Sequence, residues 1–262
     1  MLLALTRDVS PTFDRCELTN LPRTPIDVAE ARREHSQYKQ CLLQLGCHVI
    51  SLPAATDLPD SVFVEDTAIV LEDLAVIARP GAASRLPETQ SVLEFLRQYR
   101  NLFMIEEPAT LDGGDVLRIG KTLFIGQSSR TNEAAVEQLT AAVASSGYKV
   151  RPVQLRGGLH LKSAVTRVAD KVILVNPDWV DPAQLGNFEV IEVDPAEPQA
   201  ANALRVGEHI VYPTLHRKTT GLLKARGLKI RPLEMSEFLK AEGGVTCGSI
   251  IFHHPPEKSS QH

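Results

Sequence analysis

Cys247 lies in the run Gly243-Gly244-Val245-Thr246-Cys247-Gly248, where small neighbours let backbone approach a ligand closely and leave the sulfur reachable. Such a thiol can attack an electrophilic carbon if a base stands near it. Without a base, an inert buried cysteine is the ordinary outcome. His160 is the candidate base: it follows Gly157 and Gly158, opens a pair of apolar strands, and can move protons at neutral pH. Asp112, in Asp112-Gly113-Gly114-Asp115, could orient His160, hold a cationic substrate, or simply form the turn that such a run favours, with Asp115 pinning that turn. Asp60, Glu65 and Asp66 fall within seven residues. Three carboxylates so close repel one another unless a divalent metal, a lysine or arginine of the protein, or a cationic substrate sits among them. No familiar octahedral ligand spacing accompanies them. A planar guanidinium matches carboxylates with its fixed fork of donors, so a guanidine-bearing substrate fits. Arg85 and Arg130 each precede a helical stretch. They are either solvated surface arginines or, beside an acidic pocket, a clamp for a substrate carboxylate at the other end of the molecule.

These residues are spread along the chain, so something must gather them. One pattern recurs: a polar or reactive residue, then two short apolar strands joined by a tight turn. The copies open at Asp66, Asp112, His160, Asn202 and Cys247, a step of roughly 45 residues, and a period of that size implies stacked or ring-arranged units. In a closed ring, equivalent positions meet at the axis, which brings two carboxylates, a histidine and a cysteine to one cavity.

Helical stretches follow the strand pairs at 87–99, 132–145, 215–226 and 236–242, with only weak helical character over 177–188. Further strands are expected at 48–52, 102–105, 149–153, 188–193 and 228–233. The first helix should run from Ile26 to Leu45, capped by Thr24 with Pro25 at its first position, Asp27 at the capping-box offset and Gly46 at its end. The unit is therefore strand-strand-helix-strand, and the fold class α/β.

The chain has 262 residues, of which 43% are hydrophobic and 23% charged, with a formal net charge of −4. This suffices for a large core. No basic stripe suits nucleic acid, and no Lys/Arg cluster suits an anionic membrane. No apolar run approaches the ~18 residues of a membrane span. The start, MLLALTRD, lacks a signal-peptide pattern, and four cysteines in a chain this long make no disulfide scaffold. The cytoplasm is the expected compartment. Residues 1–254 are expected to form a single domain, with a polar, proline-rich tail over 255–262 that frays.

Six stretches together resemble the dimethylarginine dimethylaminohydrolase (dimethylargininase) family: LPDSVFVEDTAIV (58–70), ARPGAASR (78–85), ATLDGGDVL (109–117), IGQSSRTN (125–132), GLHLKS (158–163) and GGVTCGS (243–249). The resemblance implies the five-bladed α/β-propeller (pentein) fold of the guanidine-modifying superfamily, with pseudo-symmetric modules around a central active site. It implies hydrolysis of N-methylated arginine to citrulline, with no metal and no other cofactor. On that resemblance Cys247 is the nucleophile, His160 the general acid and base, and Asp112 the support of His160. Asp60, Glu65 and Asp66 bind the cationic parts of the substrate, and Arg85 and Arg130 its carboxylate. Leu18 belongs to a mobile loop whose backbone meets the substrate's amino group, and Ala241 contributes a backbone carbonyl. The partner is thus a small molecule, with exposed blade edges leaving room for a homodimer. Three rivals stand beside this reading. They are another guanidine hydrolase such as an arginine deiminase, a non-catalytic propeller that only binds, and a metal-dependent hydrolase using Asp60, Glu65 and Asp66.

Overall fold

The computed structural model describes residues 1–254; the fraying expected for 255–262 lies outside the described residues. The chain opens with β1 (Leu2–Arg7), α1 (Val28–Gln44) and β2 (Cys47–Leu52). Then β3 (Ala68–Val70), β4 (Leu74–Ile77), α2 (Thr89–Leu96) and β5 (Asn101–Met104) form one module, and β6 (Val116–Ile119), β7 (Thr122–Gln127), α3 (Glu133–Val143) and β8 (Lys149–Gln154) the next. A short α4 (Leu161–Ala164) precedes β9 (Val165–Ala169), β10 (Val172–Val175) and β11 (Glu189–Glu192). After β12 (Leu204–Val206) and β13 (His209–Pro213) come α5 (Arg217–Ala225) and β14 (Lys229–Leu233). A brief α6 (Ser236–Lys240) leads to β15 (Ile250–His253).

The strands make five three-stranded sheets. In four of them consecutive strands pair: the first two run antiparallel, and the third lies parallel to the second after the crossover. The fifth is different. The last copy of the repeat supplies only β15, which pairs antiparallel with β1 from the other end of the chain, Leu2 opposite His253 and Leu5 opposite Ile250. Strand β1 then runs parallel to β2. The ring is thus closed by a sheet built from both termini. The expectation of two strands after Cys247 is corrected: the second strand of that blade is MLLALTR at the start of the chain.

Two helix expectations also shift. The first helix starts at Val28, two residues later than expected, because Asp27 rather than Thr24 caps it. The Asp27 carboxylate accepts the backbone N–H groups of Ala29 and Glu30 at 2.9 and 3.1 Å, the interaction that satisfies the otherwise orphaned first-turn donors. In the third module the crossover holds only a 3-10 turn over Pro182–Leu185, where sequence periodicity was weakest. The other helices and strands stand where expected to within a few residues, the ordinary uncertainty of element ends. Helices pack between sheets: Ala135, Leu139 and Val143 of α3 join Val76, Leu123 and Ile125 in one buried cluster. Tyr38 and Leu42 of α1 join Phe63, Phe238 and Val245 in another, which backs the Cys247 loop.

Candidate active site

Each copy of the repeat delivers its first residue to the inner end of a blade. Asp66 and Asp112 lie at the edges of one-turn 3-10 segments, Val64–Thr67 and Gly113–Asp115, that lead into β3 and β6. His160 is the N-cap of α4. Cys247 ends the turn after α6, its N–H bonded to the Gly244 carbonyl at 3.2 Å. Asp66, His160 and Cys247 line one cavity, together with Asp60, Arg85, Arg130 and Ala241.

The histidine is fully directed. Its Nε2 lies 2.9 Å from Asp112 Oδ2 and its Nδ1 3.8 Å from Asp66 Oδ1. Both carboxylates are buried and fixed by backbone: Gly81 N–H donates to Asp112 Oδ1 at 2.8 Å and Gly114 N–H to Asp66 Oδ1 at 3.0 Å. Burial opposes the imidazolium charge, but Asp66 first, then Asp112 and Asp115, raise the His160 pKa to about 9. Asp66 moves the other way: burial opposes its charge, and His160 and Arg85 overcome that and hold it down at about 2. Gly114 is required by this closeness, since a Cβ there would meet Asp66 Oδ1 and His160 Nδ1, each at 2.7 Å. Asp115 pins the arrangement. It accepts from the Ser128 and Thr131 hydroxyls and from Leu161 N–H, joining three segments behind His160.

The Cys247 thiol is pushed up to about 12, by burial first and then by Glu65 and Asp66. The Gly244 N–H on Sγ at 3.3 Å and the Lys162 ammonium pull the other way. A thiol so placed stays protonated at neutral pH until something cationic joins it.

The three clustered acids separate. Asp60 accepts Glu17 N–H at 3.1 and 3.2 Å and faces the cavity. Asp66 is ion-paired to Arg85. Glu65 departs from expectation: its side chain lies outside the cavity, beyond the Cys247 loop, where it accepts from Lys162 Nζ and from Thr246 Oγ1. Its backbone N–H donates to the Cys247 carbonyl at 3.2 Å. In the 3-10 turn Val64–Thr67 the neighbouring side chains of Glu65 and Asp66 diverge by about a third of a turn, and Lys162 and Thr246 hold that of Glu65 away from the cavity.

The two arginines differ as well. Arg85 is buried, with Nη1 2.7 Å from Asp66 and both Nε and Nη2 on Glu88. Two carboxylates of the protein therefore already claim most of its fork. Arg130 lines the cavity, and its Nη2 donates to Thr19 Oγ1. Among the described residues it has no carboxylate partner. Ala241 is buried on the cavity wall, whereas Leu18 is half-buried against the core beside it and its neighbour Glu17 does the lining.

Several residues that shape the site carried no signal of their own. Asn202 was legible only as the start of a repeat. Its carboxamide grips Thr246 twice, accepting from Thr246 N–H at 3.1 Å and donating to Thr246 Oγ1 at 3.0 Å. It also donates to the Lys162 carbonyl at 3.0 Å. Asn202, Thr246, Glu65 and Lys162 thus form a closed buried network behind the nucleophile loop. Glu242, in left-handed backbone with φ 57°, ties down the strap 19–21 beside the cavity by accepting the N–H groups of Thr19, Asn20 and Leu21. The cavity has about 20 Å³ of room, enough for about one water, and adjoins a cleft of about 350 Å³ through Leu159, Glu242 and Gly243.

Asp66, Asp112 and His160 are the one group, among the described residues, whose potential ligand atoms lie within 4.8 Å of one another. Their lone pairs are already used by Arg85, by Gly81 and Gly114 N–H groups and by one another. The donor set is that of an oriented histidine.

The family model for eukaryotic N,N dimethylarginine dimethylhydrolase matches residues 22–206. The N(G),N(G)-dimethylarginine dimethylaminohydrolase of Streptomyces coelicolor is 37% identical over 249 residues, 94% of this chain and 95% of its own. The chain belongs to this family. The Pseudomonas aeruginosa enzyme of the same name is 32% identical over 86% of this chain and 90% of its own. A solved dimethylarginine dimethylaminohydrolase structure from that organism, a cysteine-to-serine variant in complex with citrulline, superposes with TM-score 0.91 at 30% identity. It covers 95% of this chain and 98% of that one. The five sheets are the five blades of the family's propeller. Among the described residues no helix is long and apolar enough to cross a membrane.

Proposed function

We propose that this protein hydrolyses N-methylated arginine to citrulline and methylamine or dimethylamine through a covalent adduct on Cys247. The observation that carries the reading is one cavity lined by Cys247 and by a His160 paired with buried Asp112 and Asp66. Asp60 and Asp66 receive the substrate cation at the reacting end and Arg130 its carboxylate at the other, with Arg85 holding Asp66 in place. Ala241 offers its carbonyl and the Leu18 segment its backbone. Glu65 acts from behind, through Thr246.

The arriving guanidinium lowers the thiol pKa, and the proton of Cys247 passes through water to bulk solvent. The Sγ electron pair then forms a bond to the guanidinium carbon, which becomes tetrahedral. His160, charged at neutral pH, has Nε2 committed to Asp112, so Nδ1 gives the proton to the departing amine as the C–N bond breaks. A planar thiouronium remains. The now neutral His160 takes a proton from water, the hydroxide adds to the same carbon, and the new hydroxyl gives its proton to solvent as the C=O forms and the C–S bond breaks, releasing citrulline and the thiolate. No step requires a metal or an organic cofactor.

The same reading makes residues 1–254 one catalytic domain with Cys247 its nucleophile. Four free cysteines, two of them buried, accord with a reducing cytoplasm. A homodimer accords with the unpaired outer edges of the five sheets among the described residues and with exposed Leu215 and Leu222 beside and on α5.

A citrulline-release assay over dimethylated, monomethylated and unmodified arginine, with the amine product identified, tests the proposal. Citrulline with methylamine or dimethylamine is expected. Ammonia from arginine as the preferred reaction would replace it with a deiminase, and no citrulline from any of the three would leave a ring that only binds.

A further inference from the structure

The hairpin turns of the blades gather at the mouth of the ring opposite the catalytic cavity, around a cleft of about 550 Å³. The inner strands place equivalent residues there. Arg118 of β6, Arg167 of β9 and Arg205 of β12 stand opposite Leu123, Ile173 and Ile210 of their second strands, and all three line the cleft. In the two remaining blades Val70 and Ile251 line the same mouth. At this strand position three consecutive blades therefore carry arginines and the other two aliphatic residues; a fourth arginine, Arg100, also lines the cleft, with its guanidinium donating to the carbonyls of Leu71, Tyr99 and His253.

The outer two arginines are satisfied. Arg118 is 2.7 Å from Glu72 and stacks on the Tyr148 ring, and Arg205 is 2.7 Å from Asp170. Arg167, between them, has no hydrogen-bond or ion-pair partner among the described residues, although it is half-buried. Its guanidinium is disfavoured by burial first and then by the like charge of Arg205; the Asp170 carboxylate opposes this, and the like charge of Arg118 adds a smaller push in the same direction as Arg205. The one other carboxylate lining the cleft, Glu65, is already taken by Lys162 and Thr246. A half-buried cation beside like charges, with no carboxylate in contact, favours an added counter-ion. Guanidinium forks bind phosphate oxygens bidentately, and the cleft has the size of a small-molecule site rather than that of a bare ion.

We propose that this mouth is an anion site for a phosphorylated small molecule, with Arg167 its central ligand and Arg118 and Arg205 beside it. It lies apart from Cys247 and His160 and does not depend on the reaction assigned to them. The cleft shares no lining residue with the cavity of Cys247 and His160.

Calorimetric titration of the full chain with inorganic phosphate and, separately, with glycerol 3-phosphate tests the site. One equivalent of the organic phosphate should bind, more tightly than inorganic phosphate. Arg167→Gln should weaken it by at least about tenfold, as expected for loss of one charge-assisted contact. Arg205→Gln should weaken it less, and Arg151→Gln, an exposed arginine on β8, by less than about twofold. In phosphate-free buffer Arg167→Gln should melt no lower than the unaltered protein, since it removes a repelled charge. Inorganic phosphate binding as tightly as the ester would reduce the site to a bare-ion site and overturn the proposed ligand class. Undiminished binding by Arg167→Gln, no binding by the unaltered protein, or a marked loss of melting temperature in Arg167→Gln would overturn the site itself.

Discussion

At the level of single residues, the proposed chemistry depends on two opposed protonation states. The Cys247 thiol is pushed up to about 12 and His160 to about 9. The free protein should therefore show no thiolate absorbance step below pH ~10, and an arginine analogue that binds without reacting should bring that step down. A step near neutral pH without ligand would mean that the protein alone ionises the cysteine. The His160 shift also has a stability sign. Its pKa is raised above the usual 6.5, so its paired charge stabilises the fold fully below that value. The contribution fades as pH rises through about 9, and melting temperature should decline over that interval in the unaltered protein but not in His160→Ala. The two arginines separate stability from binding. Arg85→Ala strips the buried partners of Asp66 and Glu88 and should cost about 3–5 kcal/mol of stability along with activity. Arg130→Ala should raise KM with little change in melting temperature. Equal melting losses in the two would contradict their assignment. Their difference was not legible in the sequence, where both are arginines in loops before helices. What divides them is Glu88, three residues beyond Arg85, whose carboxylate turns inward.

Among the elements, the repeat was legible because strand pairs and amphipathic helices leave periodic marks, while the loops that finish the site do not. Asp27 displaced Thr24 as a cap because its carboxylate reaches two N–H groups at once. Glu65 left the cavity because Lys162 and Thr246 hold its carboxylate on the other side of the Cys247 loop. Glu242 carried no signal at all, since its role exists only across some two hundred residues of chain. It is the latch of the 19–21 strap, and its left-handed backbone is a strain that three accepted N–H groups repay. Glu242→Gln weakens those charge-assisted bonds. Stopped-flow binding of monomethylarginine should then show faster association and dissociation, with kcat shifted no more than a few-fold. Unchanged binding rates would show that the strap is not the barrier to entry.

Over the whole molecule, closure by β1 against β15 turns five weak local units into one ring and brings residues from positions 60 to 247 onto one cavity. The sequence announced the ring through its period but concealed the seam, because the last blade draws its second strand from the opposite terminus. The central claim is that this ring presents Cys247, flanked by His160 and Asp66, to a guanidine-like cation. Peptide-level mass spectrometry after treatment with 2-chloroacetamidine tests it most directly. One adduct is expected, on Cys247, its formation suppressed by saturating monomethylarginine and slowed in Asp66→Asn. Labelling spread over Cys16, Cys41 and Cys47, or Cys247 labelling that monomethylarginine does not slow, would contradict it.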